Sequence, residues 1–369
     1  MNSKLALILP LALAAAVVPM AVGQKGESGK NADKIEPALP KKAFAKPKQK
    51  RKLLVFSVTN GFRHGSIASG KTAMTLLGEK TGAFEAVVSD DLANFETDKI
   101  NQFDAILFLN TTGDPFFDKK IDKAEAQAKS ERLQKNLQNF VKGGKGFAGF
   151  HSATDTLKPR GDKVPEYSKM INGAFDGHPW GGGTPVSIAV EKGAEKHPIV
   201  AHLDGKNMDF KEEIYQLRDP YDSSKVQMLL RLDLDRSQKV GLKRADKDYA
   251  NSGCKDQGRG KMFFTALGHR EDVWTNPLFQ EHLIAGIESG FYITELIGFG
   301  VEGLTGNYSR GACGQWIENG EFAYPVSEVT VAGNLADMFA NITAASDLEF
   351  RAGTNAPTVR VDGMTVAGV

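Results

Sequence analysis

The chain has 369 residues, which is enough for about two domains, and its hydrophobic (41%) and charged (25%) contents are ordinary for a globular protein. The net charge of +1 excludes a strong overall positive field, so we expect no nucleic-acid partner. No internal run beyond the N-terminal segment is long and apolar enough to cross a bilayer.

The N-terminal segment has the pattern of a secretory signal peptide. In "MNSKLALILPLALAAAVVPMAVGQ", Lys4 precedes an apolar run and small residues precede Gln24. We therefore predict a signal peptide over residues 1–23 and a periplasmic or extracellular protein; an uncleaved segment that tethers the chain to a membrane is the alternative. Residues 24–51 are rich in Lys and Pro, which predicts a disordered linker. This basic linker is either a solvated spacer or a contact with an anionic cell surface.

Strand-like and helix-like runs alternate between residues 52 and 289. The strand-like runs "LLVFSV", "FEAVVSD", "FDAILFLN" and "GFAGFH" are separated by helical patterns, the longest over about residues 119–141. Later runs, "VSIAVE", "EEIYQL", "VQMLLRLD" and "KMFFTALG", are also typical of strands, and "PLFQEHLIAGIESG" is typical of a helix that begins with Pro277. This order predicts an α/β fold with a mainly parallel sheet and helices on both faces.

Polar residues follow several of these predicted strands. In an open α/β sheet, the loops after the carboxyl ends of the strands meet at one edge, where ligands bind. The loops read "TNGFRHGS", "NTTGDP", "HSATD" and "GHRED". Their shared placement predicts a functional site at that edge of the sheet.

Acid–base chemistry is the use that we predict for this site. Histidine transfers protons near neutral pH, and carboxylates orient it or act beside it. The candidate catalytic residues are His64, His151, Asp155, Glu213 and His269. The candidate substrate-binding residues are Asn60, Arg63, Asn110, Thr111, Asp114, His178, Trp180 and Arg270. The Trp180 ring would either stack on a sugar face or pack in the core.

Metal binding is the competing use of the same histidines. His64, His151 and His269 would converge with a carboxylate on a divalent ion. No HExxH or other short ligand spacing accompanies them, so no cofactor is predicted and a divalent metal is the alternative. A cysteine nucleophile is excluded in this region because no Cys lies between Lys52 and Asn251.

The same blocks resemble the ThuA-like (trehalose utilisation) family. The strings "LLVFSVTNGFRHGSI", "FDAILFLNTTGD", "FVKGGKGFAGFHSATD", "GAFDGHP", "EEIYQL" and "MFFTALGHREDVWTNPLFQEHLIAGI" occur in order over residues 52–289. The resemblance implies a flavodoxin-like fold, similar to class I glutamine amidotransferases, and a link to the metabolism of disaccharides or keto-sugars. Those amidotransferases place a nucleophilic Cys where this chain has "GFHSATD", so their activity is not implied.

The C-terminal residues 290–369 resemble a different family. "TGNYSRGACGQWIENGE" and "YPVSEVTVAGNLADMF" are similar to the C-terminal end of the TldD/PmbA family, closest to PmbA (TldE). Dense glycines and strand-like runs predict a small β-rich (α+β) piece with one short helix at "NLADMFANI". TldD-type subunits are zinc metallopeptidases, but the HExxxH motif is absent here and Cys313 is not predicted to bind zinc. The resemblance implies a TldD-like partner subunit; an accidental joining of two genes is the alternative.

Three functions compete on these observations. The first is an exported enzyme (a hydrolase, lyase or isomerase) that acts on a small-molecule carbohydrate. In it His151 and His64 would carry protons, Asp155 and Asp114 would orient them or bind hydroxyls, and Arg63 would bind the substrate. The second is a non-catalytic carbohydrate-binding or scaffold protein on the same fold. The third is a peptidase-related assembly subunit that acts through the C-terminal piece.

Overall fold

The structure of the chain is a computed structural model that describes most of the predicted main domain. The described residues are 29–43, 51–242, 244–291, 296–297, 307–318, 321–340, 342–344, 359–361 and 365–367. The predicted signal peptide (residues 1–23) lies outside the described residues, as do residues 24–28 and 44–50 of the predicted linker. Within the described part, no helix combines the length and the apolar character needed to cross a membrane.

The secondary structure alternates between strands and helices up to residue 171 and is richer in strands afterwards. The helices are α1 (Ala32–Ile35), α2 (Ile67–Thr81), α3 (Lys123–Lys142), α4 (Glu166–Ile171), α5 (Pro277–Phe291) and α6 (Leu335–Ala340). The strands up to α5 are β1 (Lys52–Phe56), β2 (Glu85–Val88), β3 (Ala105–Leu109), β4 (Gly146–Phe150), β5 (Ala174–Phe175), β6 (Pro185–Val190), β7 (Met208–Lys211), β8 (Leu217–Arg218), β9 (Gln227–Leu232), β10 (Ala250–Gln257) and β11 (Gly260–Thr265). The later strands are β12 (Leu296–Ile297), β13 (Asn307–Glu318), β14 (Glu321–Asn334), β15 (Ile342–Ala344), β16 (Val359–Val361) and β17 (Thr365–Ala367).

A nine-stranded sheet organises the main domain, in the order β2-β1-β3-β4-β11-β10-β9-β6-β7. The first five strands pair in parallel, in the flavodoxin-like order. The remaining pairs are antiparallel. The predicted α/β fold is therefore confirmed, with an antiparallel extension built from the later strand-rich part of the chain.

The parallel strands are buried because helices cover both faces of the sheet. Along β1, Leu53 and Val55 join one apolar cluster, whereas Leu54 and Phe56 join the other. This alternation follows from the two-residue period of a strand. Side chains of α2 and α5 belong to the first cluster, and side chains of α3 and α4 belong to the second. The continuous apolar runs in the sequence thus reflect burial on two sides.

The predicted strand at "EEIYQL" is wrong. β7 ends at Lys211 and β8 begins at Leu217, and between them Ile214 makes only an isolated bridge with Trp180. The reason is local: the buried carboxylate of Glu212 accepts hydrogen bonds from the loop that follows β11. This pairing draws the segment away from the sheet and toward the carboxyl edge of the parallel strands.

Part of the predicted disordered linker is folded. Residues 29–43, called the N-terminal strap below, contain α1 and a turn of 3-10 helix. Ile35 and Leu39 of the strap are buried in the same cluster as α2. The Nδ2 group of Asn31 also donates to Ser69 Oγ of α2 over 2.9 Å. Two apolar side chains four residues apart thus anchor a segment whose composition is otherwise typical of disorder.

The C-terminal piece is rich in strands, as predicted. β12, β13, β14 and β17 form an antiparallel sheet, β15 pairs with β16, and α6 is the predicted short helix. The predicted strand at "FYITELI" is wrong at its start because α5 continues through Phe291. The side chain of Cys313 and the glycine-rich residues 298–306 lie outside the described residues.

Candidate metal centre

Four side chains from separate loops converge at the carboxyl edge of the parallel strands. His64 lies in the loop after β1, His151 directly follows β4, and His269 lies in the loop after β11. Glu213 comes from the segment after β7. One ligand atom from each of these four residues lies within 4.8 Å of the others. The predicted gathering of distant residues at this edge therefore holds for these four.

The nitrogen atoms of the three histidines face one another. Nε2 of His151 lies 3.3 Å from Nε2 of His64 and 3.2 Å from Nδ1 of His269. Oε2 of Glu213 lies 3.1 Å from Nδ1 of His269 and 3.5 Å from Nε2 of His151. A tetrahedral zinc site with bonds of about 2.0–2.1 Å has ligand–ligand edges of about 3.3–3.4 Å. These four of the six ligand–ligand separations lie close to that edge length, and all four ligand atoms lie within 4.8 Å of one another, so the donor set fits a divalent cation once it contracts slightly.

The backbone at His151 directs its imidazole into this cluster. His151 has a φ of 45°, a left-handed conformation that a non-glycine residue adopts at an energetic cost. Its Nδ1–H group donates to the carbonyl oxygen of Ala266 over 2.9 Å. Because that bond keeps the proton on Nδ1, the Nε2 lone pair of the neutral ring points at the other ligands. A backbone carbonyl that fixes the tautomer in this way is the usual support of a metal-binding histidine.

A hydroxyl group orients the ring of His64. Its Nδ1 atom lies 3.3 Å from Ser152 Oγ, which leaves Nε2 toward His151. Burial, together with the charges of His151 and His269, lowers the pKa of His64 to about 3. Burial also lowers the pKa of His151. Both rings are therefore neutral near pH 7 and offer lone pairs, as metal ligands must.

Glu213 supplies the negative charge of the cluster. Its burial opposes ionisation, but hydrogen bonds with His151 and His269 hold its pKa well below the ordinary value. Burial alone would lower the pKa of His269, whereas the bond to Glu213 and the charge of Glu213 raise it. The net effect is a raised pKa for His269, so this ring, unlike those of His64 and His151, would release a proton when a cation binds beside the Glu213 carboxylate.

Glu212 holds the loop that carries His269. Its carboxylate accepts from the N–H groups of Gly268 (2.8 Å), His269 (2.6 Å) and Arg270 (3.2 Å). Burial raises the pKa of Glu212 to about 7, and these three donors oppose the shift because they favour the carboxylate. The consecutive residues Glu212 and Glu213 thus have different tasks, one in loop position and one in the ligand cluster.

A groove leads from the ligand cluster to the surface. It has a volume of about 420 Å³. Its lining residues are Phe62, His64, Gly65, Ser66, His269, Arg270, Glu271 and Asp272. The groove opens directly onto two of the four ligand residues, so a small molecule in it would contact the cluster.

Asn60 and Asp114, both predicted to bind substrate, connect loops to one another. Nδ2 of Asn60 donates to the carbonyl oxygens of Asp114 (2.5 Å) and Phe117 (2.8 Å). The Asp114 carboxylate accepts from Ser130 Oγ of α3 over 2.7 Å. These contacts fix the loops after β1 and β3 and do not reach the ligand cluster.

Asn110 and Thr111, also predicted to bind substrate, are buried at the base of the same edge. Nδ2 of Asn110 donates to Ser66 Oγ and to the carbonyl oxygen of Gly268, both over 3.1 Å. The hydroxyl groups of Thr111 and Thr156 lie 2.8 Å apart. Asn110 thereby joins the loops after β1, β3 and β11, which carry two of the three histidines.

Four further predicted residues each contact a different partner. His178 is half-exposed, and its Nδ1 atom lies 3.7 Å from Oε1 of Glu213. Asp155 forms an ion pair with Lys158. Arg63 is exposed and donates to a backbone carbonyl of its own loop, whereas the Arg270 guanidinium pairs with Asp272 through two bonds of 2.8 Å.

Trp180 is a core residue, so the prediction that its ring stacks on a sugar is wrong: neither face of the ring is exposed. The side chain is 1% exposed, and its Nε1–H donates to the carbonyl oxygen of Gln238 over 2.9 Å. Its ring packs edge-on against Tyr249 at 4.8 Å between centroids. Of the two alternatives stated for Trp180, packing is the one that the structure contains.

Sequence reasoning missed several residues of the site. Phe62 borders the groove, Ser152 contacts His64, and the ring of Tyr215 lies 4.6 Å from that of His151. Ser152 directly follows His151 in the chain and Tyr215 lies two residues after Glu213, which was the available signal. Phe62 had a signal too, since a large apolar side chain in the polar string "TNGFRHGS" has no evident place in a core.

The fold and the ligand cluster define an α/β protein with a flavodoxin-like parallel half and a candidate metal centre at its carboxyl edge. A ThuA-like protein from Bacteroides uniformis has a similar fold, with a TM-score of 0.50 at 19% identity over 65% of this chain and 91% of that one. The family model described as trehalose utilisation (ThuA) matches residues 52–288, more than half of the chain. The chain therefore belongs to the ThuA family, as its sequence blocks predict.

A second family model, described as the PmbA/TldA metallopeptidase C-terminal domain, matches residues 270–368. The chain is 48% identical over 89 residues to the metalloprotease PmbA of Escherichia coli O157:H7 and 32% identical over 160 residues to the PmbA homologue of Haemophilus influenzae. These matches cover 24% and 40% of this chain. The chain spans only 20% and 35% of the length of those two relatives. The predicted resemblance of the C-terminal piece is therefore confirmed, and it concerns the C-terminal domain of the PmbA/TldD family only.

Proposed function

We propose that the ThuA-like part of the chain is a divalent-metal-dependent enzyme that acts on a disaccharide or keto-sugar. One observation carries the proposal: the ligand atoms of His64, His151, His269 and Glu213 all lie within 4.8 Å of one another beside an open groove. The trehalose-utilisation description of the family supports a carbohydrate substrate. When bound, the metal ion would polarise a carbonyl or hydroxyl oxygen of the sugar as a Lewis acid.

The geometry changes the roles that the sequence predicts. His64 and His151 are buried and direct Nε2 at each other, so they serve better as ligands than as proton carriers. His178 has the opposite character, since its side chain is 52% exposed and close to Glu213. Exposure beside the cluster suits a group that exchanges protons with substrate and solvent. In this proposal His178 transfers the proton, and Glu213 orients the imidazole ring of His178.

Metal content of the purified full-length chain tests the proposal. We expect about one divalent ion per chain by inductively coupled plasma mass spectrometry after dialysis against zinc or manganese. His151→Asn should weaken the affinity for zinc by at least about 100-fold, because the imidazole nitrogen of one of the four ligands is lost. His178→Asn is the matched control, since it changes a nearby histidine that is not a ligand and should leave the stoichiometry intact.

Two results would contradict this assignment. One is a wild-type chain that binds none of zinc, manganese, nickel or iron; the other is equal affinity in His151→Asn and wild type. Turnover of a panel of disaccharides and 3-keto-glycosides then separates the enzyme from a non-catalytic carbohydrate-binding protein. Binding without product in the metal-loaded chain favours the binding protein, and loss of turnover in His178→Asn supports its role in proton transfer.

The C-terminal match favours a second function, which we also propose: contact with a TldD-like subunit through residues 290–369. It is supported by the 48% identity of 89 residues to PmbA, whose name marks it as a metalloprotease. The sequence lacks the HExxxH motif, so the partner would supply any peptidase site. Co-purification of a tagged full-length chain with a co-expressed TldD-like protein tests this contact. Export of the chain remains a proposal as well, to be tested by sequencing the N-terminus of the protein recovered outside the cytoplasm.

A further inference from the structure

We propose that Phe62 is the stacking residue of a glycosyl subsite, at which the ring of a pyranose lies against the phenyl face beside the metal centre. The inference rests on the proposed function for the nature of the substrate. The Phe62 side chain is 67% exposed and borders the groove that opens onto His64 and His269. Its ring stands edge-to-face to that of His64, with 4.8 Å between the centroids. A bound ring on Phe62 would therefore lie next to a ligand of the cluster.

The backbone of the loop that presents Phe62 is held by hydrogen bonds to the loop after β3. The N–H of Asn60 donates to the carbonyl oxygen of Thr112 over 2.9 Å, and the N–H of Gly61 donates to Thr112 Oγ1 over 3.2 Å. Thr112 Oγ1 in turn donates to the carbonyl oxygen of Phe62 over 2.8 Å. Together with the Asn60 side-chain bonds, these contacts hold the backbone on both sides of the ring. A backbone held in this way lowers the entropic cost of ordering the loop on binding.

Close packing beneath the loop explains its sequence. A Cβ atom on Gly61 would lie 3.1 Å from Thr112 Oγ1, which is tighter than most side-chain contacts. Glycine therefore permits the loop to approach Thr112 and turn the next side chain outward. The backbone groups of this loop are hydrogen-bonded whereas the phenyl ring of Phe62 is largely exposed, so burial of the ring contributes little to folding. Its position on the groove beside His64, rather than its exposure, favours a role for Phe62 in ligand binding.

The other lining residues of the groove are mostly polar and suit the hydroxyl groups of a sugar. Arg270 and Asp272 form a bidentate pair, and Nη1 of Arg270 donates to the carbonyl oxygen of Gly182 over 3.2 Å. Glu271 adds a second carboxylate to the lining. A pyranose has an apolar C–H face and a rim of hydroxyl groups, so a lining that combines an aromatic ring with polar groups suits it. The volume of about 420 Å³ is within the size range of small-molecule sites.

Ligand titration with Phe62 variants tests the subsite. We expect trehalose, sucrose or methyl glucoside to give saturation-transfer NMR signals with the zinc-loaded full-length chain, whereas the open-chain polyol mannitol should give none. Phe62→Ala should raise the dissociation constant for the sugar by about tenfold, which corresponds to the loss of one aromatic contact. Phe62→Trp should retain binding because it keeps a flat ring. Phe339→Ala, which removes a phenylalanine that is 70% exposed in α6, is the matched control.

The outcomes separate this inference from the metal proposal. Weaker sugar binding in Phe62→Ala with unchanged zinc content supports the subsite. This support does not depend on zinc, so it holds even if the zinc-free chain also binds sugar. Equal binding in Phe62→Ala and wild type, or no binding of any sugar by the zinc-loaded chain, overturns the subsite and leaves the metal centre intact. A Phe62→Ala chain that changes its oligomeric state in sedimentation but not its sugar affinity also overturns it, because the ring would then serve an interface between chains.

Discussion

At the scale of single residues, the site separates groups that would touch a ligand from groups that position them. His64, His151, His269 and Glu213 contribute the facing atoms, whereas Glu212 and the Ala266 carbonyl act on the loops and rings behind them. A ligand that is held from behind needs less reorganisation when a cation arrives. Adjacent acidic residues in the chain can therefore have unrelated tasks, and only their partners distinguish them.

Replacement of Glu212 tests this division of tasks. Glu212→Ala leaves the N–H groups of Gly268, His269 and Arg270 without their acceptor. Unsatisfied buried donors are costly, so we expect a loss of about 2–4 kcal/mol in the free energy of unfolding. The misplaced His269 should also lower zinc affinity about 10–100-fold, measured by competition with a chromogenic chelator. Glu271→Gln, on the outer side of the same loop, should change neither value; identical zinc affinity in Glu212→Ala would refute a positioning role.

At the scale of elements, the N-terminal strap ties together the parts that carry the site. It packs against α2 through Ile35, and its Lys30 and Asn31 side chains contact the Glu271 carboxylate at 2.6 and 3.2 Å. The loop after β11 is therefore held by Glu212 from inside and by the strap from outside. The exposed ion pair alone contributes little, so the buried Ile35 is the anchor.

Ile35→Asp should release the strap while the domain stays folded. A carboxylate cannot remain in the apolar cluster, and detachment of the segment costs less than burial of the charge. Hydrogen exchange followed by mass spectrometry should then find residues 29–43 unprotected, with faster exchange in the loop around Glu271 as well. Lys34→Ala changes an exposed neighbour in the same helix and should leave protection unchanged. Full protection in Ile35→Asp would mean that the strap is held by other contacts.

Elements differ in how far the sequence predicts them. β1, β3 and β4 are predictable because strands buried on both faces are continuous apolar runs between turns. The strap is not, because two apolar residues in a Lys-rich segment carry little compositional weight. The ligand cluster is intermediate in how far the sequence predicts it. His64 and His269 lie 87 and 118 residues from His151, so no local spacing reveals a ligand set, and only the strand order predicts their meeting.

At the scale of the whole molecule, α5 is the element at which the two family matches meet. The matched ranges overlap over residues 270–288, which include most of α5. Leu283, Ile284 and Ile287 of this helix belong to the core of the main domain. A Cβ atom on Gly286 would lie 2.2 Å from the ring of Phe263 in β11, so the glycine permits close packing of the helix on the sheet. By its packing, α5 is part of the ThuA-like fold.

We expect a histidine of the same helix to make the stability of the main domain depend on pH. His282 is fully buried, with Nδ1 3.4 Å from the carbonyl oxygen of Ile199. Burial chiefly, and the charge of His202 in addition, lower its pKa to about 3 from an ordinary value of 6.5. Between these two values the unfolded chain binds a proton that the folded chain does not. The stabilisation is therefore complete above pH 6.5 and is lost progressively as the pH falls toward 3.

Urea unfolding of wild type and His282→Asn at several pH values measures this contribution. The asparagine amide would keep a donor toward Ile199 but cannot bind a proton, so only the wild type should carry the histidine's pH dependence. From pH 7 to pH 5 the wild type should lose about 2 kcal/mol more than the variant in the free energy of unfolding. The comparison at each pH cancels the titration of the other histidines, because both chains contain them. A difference in stability that stays constant from pH 7 to pH 5 would mean that His282 accepts a proton in the folded chain as readily as in the unfolded one.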